Sequence, residues 1–271
     1  MMESPWVDKT ALITGASSGI GAALADWLGS KGLRVALTAR REQRLKEVAS
    51  AIEMRAGKAW VHACDISQAS ARERLVSSLQ AEFGTVDILI NNAGFGWYGY
   101  FHHMNWGDAK KMLAVNVEAA AHLSHLLLPG MLSRGSGHII NISSIAGGLP
   151  NQGIAMYAGS KAFLDAFTTV LHRELRGSGV HVSSVRLGPM RTEFFDQARG
   201  MQNGGPVPAE RFAIPVEKVT HGIWRLLNHP RRAMYLPGWL AVTRVVEPLF
   251  GGLIDQLGPL LLKRSGRKRG H

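Results

Sequence analysis

Thr10-Ala11-Leu12-Ile13-Thr14-Gly15-Ala16-Ser17-Ser18-Gly19-Ile20-Gly21 decides the fold. Its first five residues read as a buried strand, and the stretch Ile20–Lys31 that follows lacks proline and has helical apolar spacing. Between them, glycines let the chain bend tightly and bring backbone N–H groups close to a pyrophosphate, whose charge a helix N-terminus favours. A glycine pattern can also mark a purely structural turn. The strand-to-helix context is the one a dinucleotide site requires, so Gly15, Ser17, Ser18, Gly19, Ile20 and Gly21 are read as cofactor-binding.

Outward from this turn, short apolar or β-branched runs alternate with longer helical stretches. The runs read as strands are Thr10–Thr14, Arg34–Ala39, Lys58–Ala63, Val86–Asn91, His138–Ile142, Val180–Arg186 and Ala233–Leu236. The helical stretches are Ile20–Lys31, Arg41–Arg55, Gln68–Phe83, Trp106–Ser133, Ala155–Gly177 and Pro215–Leu227. Such alternation implies βαβ crossovers, hence an α/β doubly wound (Rossmann) fold: a parallel seven-stranded sheet with helices on both faces, in a single domain. Residues 1–238 are expected to form this domain. Gly188–Ile214, too broken by glycine and proline for a long helix, reads as a substrate lid. Residues 239–271 read as an apolar C-terminal extension with a basic tail; Arg244, Glu247, Pro248, Asp255 and Pro259 argue against a membrane span.

The formal charge of +11 invites a nucleic-acid reading, but Lys263, Arg264, Arg267, Lys268 and Arg269 crowd into the last nine positions and the body carries a modest surplus. No zinc-finger, helix-turn-helix or RNA-binding pattern accompanies it, so no nucleic-acid partner is expected. The tail reads either as a solvated segment or as an electrostatic tether, giving a peripheral membrane contact. A single cysteine, Cys64, cannot form an internal disulfide and reads as a small buried residue. With no signal-peptide pattern at the start of the chain, a cytoplasmic setting is expected.

The end of the second strand reads Thr38-Ala39-Arg40-Arg41, where an NAD site usually places a carboxylate for the ribose hydroxyls. Arg40 and Arg41 cannot accept those bonds but pair well with a 2′-phosphate, which favours NADP(H) over NAD(H); the plainer alternative is a solvated charge at a helix start. Asp65 and Ile66 follow the third strand at the adenine position, and Asn92, Ala93 and Gly94 follow the fourth, where small residues permit close cofactor approach. Ser144 ends the fifth strand, and Tyr157 and Lys161 stand four residues apart on one helix face. Tyrosine, with an ordinary pKa of about 10, is a poor base at neutral pH. A lysine cation and an oxidised nicotinamide would both favour the phenolate, so a lowered pKa is expected, with Ser144 holding the substrate oxygen while Tyr157 exchanges its proton.

In this order and spacing the chain resembles the short-chain dehydrogenase/reductase family over about residues 8–195, through Thr14–Gly21, Asn91–Gly94, Asn116, Ser144, Tyr157 with Lys161, and Leu187-Gly188-Pro189 followed by Thr192. The resemblance implies a catalytic tetrad of Asn116, Ser144, Tyr157 and Lys161, with Ser144 a better match than Ser143. It further implies that Asn116 holds a water linking Lys161 to solvent, that Lys161 binds the nicotinamide ribose, and that Pro189 and Thr192 meet the carboxamide. The implied function is an NADPH-dependent carbonyl reductase that interconverts a ketone or aldehyde and an alcohol by hydride transfer, on an apolar 3-oxoacyl-type or lipid-like small molecule. The departures are Gly159, where alanine or serine is commoner, and Leu187 in place of proline. A homodimer or homotetramer is expected.

Against this stand a non-catalytic NADP-binding scaffold or redox sensor, and an epimerase or dehydratase of the extended branch. Eleven histidines raise the question of a metal, yet the close pairs His102-His103 and His122/His125 have no carboxylate or cysteine at ligand spacing, so no metal is expected and surface or lid positions are. The aromatic cluster Phe95–Phe101 reads as lining for an apolar pocket or as ordinary loop packing.

Overall fold

Successive residues of a strand point to opposite faces, and in this chain both faces are apolar, as a sheet covered by helices on both sides requires. The computed structural model describes residues 5–205 and 207–266, side chains of 208 and 257–266 excepted. Seven strands form one sheet: β1 (Thr10–Thr14), β2 (Arg34–Ala39), β3 (Lys58–Ala63), β4 (Ile88–Asn91), β5 (Gly137–Ser144), β6 (Val180–Leu187) and β7 (Ala233–Leu236). Their order is β3-β2-β1-β4-β5-β6-β7, and every pairing is parallel. Ala11, Ile13, Val35, Leu37, Ile88 and Ile90 pack on α1 (Gly19–Ser30), α2 (Glu42–Glu53) and α8 (Glu217–Asn228). Leu12, Ala36, Leu89, Ile139 and Val182 face α3 (Ala69–Phe83), α5 (Ala119–Arg134) and α6 (Ala155–Glu174).

The expected elements are present with shifted ends. β4 begins at Ile88 rather than Val86 because Asp87 turns its carboxylate onto the backbone of the neighbouring strand, accepting from Thr10 N at 2.9 Å. β5 runs two residues beyond Ile142, so Ser143 and Ser144 pair with Arg186 and Leu187. The expected helix Trp106–Ser133 is three pieces: α4 (Trp106–Leu113), a π-helical turn (Ala114–Glu118) and α5. A π turn inserts an extra residue into the helical ladder and is common where a helix carries a functional side chain.

The chain reverses direction across the sheet between β1 and β4, which leaves a crevice at their C-terminal ends. Gly188–Ile214 roofs part of it. Its two ends meet, with Ile214 N donating to Pro189 O at 3.0 Å and Arg191 N to Ile214 O at 3.0 Å, and it contains α7 (Phe194–Gly200). Residues after β7 pack against the start of the Gly188–Ile214 segment: Leu240 is buried, and a Cβ added at Gly188 would lie 2.6 Å from Leu240 Cδ1. α9 (Thr243–Gly266) follows, exposing Val245, Leu249, Phe250 and Leu253. Among the described residues no helix is long and apolar enough to cross a membrane. Arg267, Lys268 and Arg269 of the expected tether, and the side chains of Lys263 and Arg264, lie outside the described residues.

Candidate active site

The glycine turn is built so tightly that side chains are excluded. Gly15 adopts a φ of +67°, and a Cβ there would lie 2.9 Å from Ala93 Cα; one at Gly21 would lie 2.3 Å from Gly15 O. Gly21 thus packs behind the turn, while Gly15, Ser17, Ser18, Gly19 and Ile20 line the cleft. Thr14 Oγ1 ties the two flanking loops together, accepting from Asn92 N and Ala93 N at 3.0 Å each. Asn92 Nδ2 donates to Thr14 O at 2.8 Å and Gly15 O at 3.3 Å, so its amide braces the turn while Ala93 and Gly94 line the cleft. The turn thus leaves a concave backbone surface with no room for a Cβ at Gly15, a shape that could receive a pyrophosphate.

At the outer end, Arg40, Arg41, Asp65 and Ile66 converge on the same cleft. Arg40 is exposed; Arg41 Nη2 donates to Ser18 Oγ at 2.7 Å and Ser17 Oγ at 3.1 Å. Asp65 accepts from Ser67 N at 3.0 Å, which fixes the turn after β3. Cys64 is half-buried, a correction to the expected burial: β3 is an edge strand, covered by no further strand, and the thiol lies 3.3 Å from Thr38 Oγ1 at the cleft wall. Burial still pushes the thiol above its ordinary range, the reverse of an activated nucleophile.

Sequence reasoning missed Arg72, the largest fully buried side chain. From α3 its guanidinium donates to Ile66 O at 2.7 Å and to His122 Nδ1 at 3.0 Å, and it pairs with Glu118. It thereby holds the backbone of the loop after β3, and His122 is its acceptor rather than a free surface histidine. An arginine on an amphipathic helix carries no local signal of such a role.

The inner end brings together Ser144, Tyr157 and Lys161 on the cleft, with Asn116 behind them. Lys161 is buried and its Nζ donates to Ile142 O at 2.9 Å, 5.7 Å from the centre of the Tyr157 ring. Ser144 hydrogen-bonds Tyr157, whereas Ser143 is buried and donates to Lys161 O at 3.3 Å, which separates the two serines. Asn116, on the π turn, accepts from Phe95 N at 3.1 Å and donates to Phe95 O at 2.9 Å and Ser160 Oγ at 3.1 Å. A Cβ at Gly94 would crowd Asn116 Oδ1 at 3.1 Å and Lys161 Nζ at 3.5 Å. Gly159 has open space around it, so that departure disturbs nothing.

The expected lowering of the Tyr157 pKa is not what the protein's own groups produce. Burial of the hydroxyl pushes it up to about 12, and the bond with Ser144 offsets only part of this. Burial also brings Lys161 down to about 8, against the pull of Asp165 one turn below. Removing both groups from water costs their charged forms more than the Ser144 hydrogen bond and the Asp165 charge restore. At neutral pH the pair is a neutral phenol beside an ammonium.

Phe95, Trp97, Leu149, Ile154, Met190, Phe194 and Phe195 wall the inner end, together with Pro189 and Thr192, in a cleft of about 370 Å³. Phe194 lies 5.4 Å from the Tyr157 ring, centre to centre. The Gly188–Ile214 segment is pinned to the aromatic segment by Trp97 Nε1 to Gln202 O at 3.1 Å, Gly205 N to Tyr98 O at 2.9 Å and Asn203 Nδ2 to His103 O at 3.0 Å. Of the aromatic cluster, Phe95 and Trp97 therefore line the cleft, whereas Tyr100 and Phe101 are exposed. Phe194 and Glu193 were missed because their nearness to the site depends on how the Gly188–Ile214 segment folds back over the cleft.

The fold and this constellation define a nucleotide-dependent oxidoreductase architecture, and comparison with known proteins agrees. The model of the short chain dehydrogenase family matches residues 9–203, and the chain belongs to the short-chain dehydrogenase/reductase family of oxidoreductases. It is 40% identical over 244 residues to a short chain dehydrogenase of Pseudocercospora fijiensis, covering 89% of this chain and 76% of that one. A fatty acyl-CoA reductase of Acinetobacter baylyi is 33% identical over 254 residues, covering 92% and 84%. A metagenomic short-chain oxidoreductase solved with NADP superposes with a TM-score of 0.73 at 35% identity, covering 86% of this chain and 96% of that one. A short chain dehydrogenase/reductase from Burkholderia phymatum solved with NAD gives 0.83 at 25%, covering 93% and 97%.

Proposed function

We propose that this chain is an NADP(H)-dependent reductase that interconverts an apolar ketone or aldehyde with its alcohol, acting on 3-oxoacyl-type or other lipid-like molecules. The observation that carries this reading is one continuous cleft running from Arg40 and Arg41, past the glycine turn, to Ser144, Tyr157 and Lys161 between aromatic walls. Its parts fit a dinucleotide: a cradle that a Cβ would fill at Gly15, two guanidinium groups where a 2′-phosphate would sit, and the space in front of Gly94 kept clear beside Lys161.

When bound, the reduced nicotinamide supplies the hydride. The chain supplies orientation and a proton. Ser144 holds the substrate oxygen, and Tyr157, a neutral phenol at neutral pH, donates its proton to that oxygen as the carbonyl is reduced. Lys161, cationic below about 8, stabilises the phenolate left behind and binds the nicotinamide ribose. Asn116, fixed on the π turn by its amide bonds to the Phe95 backbone and Ser160, is assigned to a proton relay from Lys161 to solvent. Phe95, Trp97 and Phe194 exclude water and favour an acyl chain, and the fatty acyl-CoA reductase relative supports that substrate class.

Oxidation of NADPH, followed at the nicotinamide absorbance, should occur with 3-oxoacyl thioesters and long-chain aldehydes and be slower with short polar ketones. Loss of NADPH oxidation with every carbonyl tested, alongside retained NADPH binding, would favour a cofactor-binding scaffold.

A further inference from the structure

Every edge of the Arg41 guanidinium is engaged. Nε and Nη2 donate to Ser17 Oγ at 3.3 and 3.1 Å, Nη2 also donates to Ser18 Oγ at 2.7 Å, and Nη1 meets Glu193 Oε2 at 3.0 Å. Ser17 and Ser18 belong to the glycine turn, whereas Glu193 lies in the lid, one residue before α7. The pair thus ties the lid to the cofactor cradle across 152 residues of sequence. Neighbouring contacts reinforce the tie. A Cβ at Gly19 would lie 3.2 Å from Thr192, and Ser18 as well as Arg41 hydrogen-bonds Glu193, whose carboxyl Arg41 holds below its ordinary range.

A carboxylate and a phosphate make the same demand on a guanidinium, parallel N–H donors in one plane. The Nη1 edge of Arg41 cannot satisfy both. Arg40, by contrast, is exposed and has no hydrogen bond among the described residues. We propose that Glu193 is a selectivity-determining residue that competes with the 2′-phosphate of NADP(H) for Arg41, so that only the phosphorylated dinucleotide breaks the tie between lid and glycine turn. The inference rests on the NADP(H) reading above. NAD(H), with a hydroxyl at that position, leaves the ion pair intact. Because binding linkage is reciprocal, whatever affinity the pair takes from the phosphate, the phosphate returns as freedom of the lid.

The test is equilibrium binding of NADPH and of NADH, by calorimetry, to the parent, Glu193→Gln, Arg41→Ala and the double variant. Limited proteolysis of the 188–214 segment with each cofactor at saturation accompanies it. Glu193→Gln should tighten NADPH by ~2- to 5-fold, up to the limit an exposed ion pair supplies, and leave NADH unchanged. That gain should vanish in the Arg41→Ala background and shrink with added salt. In the parent the lid should be cut faster with NADPH than with NADH, and in Glu193→Gln equally fast with either. Equal shifts for both cofactors, no shift, or a gain that persists without Arg41 would overturn the competition. A parent with no preference for NADPH would sink the cofactor reading and this inference together, whereas a preference that Glu193→Gln leaves untouched sinks the inference alone.

Discussion

Lys161 Nζ and the carbonyl oxygen of Ile142 lie 2.9 Å apart, a hydrogen bond that fastens the middle of α6 to the end of β5. It fixes an ammonium beneath the Tyr157 ring and leaves it a single neutral acceptor, so burial brings its pKa down to about 8. The rate of carbonyl reduction should therefore fall as pH rises through about 8, when the charge that stabilises the phenolate is lost. Lys161→Met should lower kcat by ~100-fold or more and abolish that alkaline limb. An unchanged pH profile in the variant would remove Lys161 from proton transfer.

Tyr157→Phe keeps the ring that packs on Phe194 and deletes only the hydroxyl, the proposed proton donor. Hydride transfer should be abolished in single-turnover measurements while NADPH affinity stays within about twofold, because the hydroxyl acts on substrate. Equal rates for variant and parent would refute the assignment.

Arg40 is exposed at the outer end of the cleft, near Asp65 and without a hydrogen bond among the described residues, so a 2′-phosphate could meet it without breaking one. Arg40→Ala should weaken NADPH by ~10-fold or more, as loss of a charge-assisted hydrogen bond does, and NADH far less. A matched loss for the two cofactors would show that Arg40 does not read the phosphate.

His138 lies near the N-terminal end of the interior strand β5, the end away from the cleft, fully buried, with Nε2 2.8 Å from Ser183 Oγ and the His181 ring 5.7 Å away. Burial, aided by the charges of His181 and His172, depresses its pKa from 6.5 to about 3. Between those values the unfolded chain binds a proton that the folded chain refuses, so this residue makes stability rise with pH across the window and fall on acidification, by at most ~1.4 kcal/mol per pH unit. Thermal unfolding of the parent should show Tm dropping from pH 6.5 towards 4, and His138→Gln should flatten that slope. An identical slope in the variant would assign the acid sensitivity elsewhere.

Much of the architecture was legible because it is written in local periodicity. The unbroken apolar run Ala11, Leu12 and Ile13, buried on both faces, and a glycine turn after Thr14 are properties of contiguous residues, and they place the first βα unit without reference to anything distant. Ser144, Tyr157 and Lys161 were legible for the same reason: a strand end and one turn of one helix. Element ends were less so, since β4 starts where Asp87 finds the backbone of β1, a partner 77 residues away.

The sequence by itself determined the sheet, the cradle and the identity of the candidate reacting groups, because spacing along a strand or helix dictates which side chains share a face. Only the tertiary structure decided their energetics and their neighbours. It packed the Tyr157 hydroxyl so that its pKa rises rather than falls, seated Arg72 under Ile66, and folded Glu193 back onto Arg41. Those outcomes depend on desolvation and on contacts between distant segments, which no local pattern encodes.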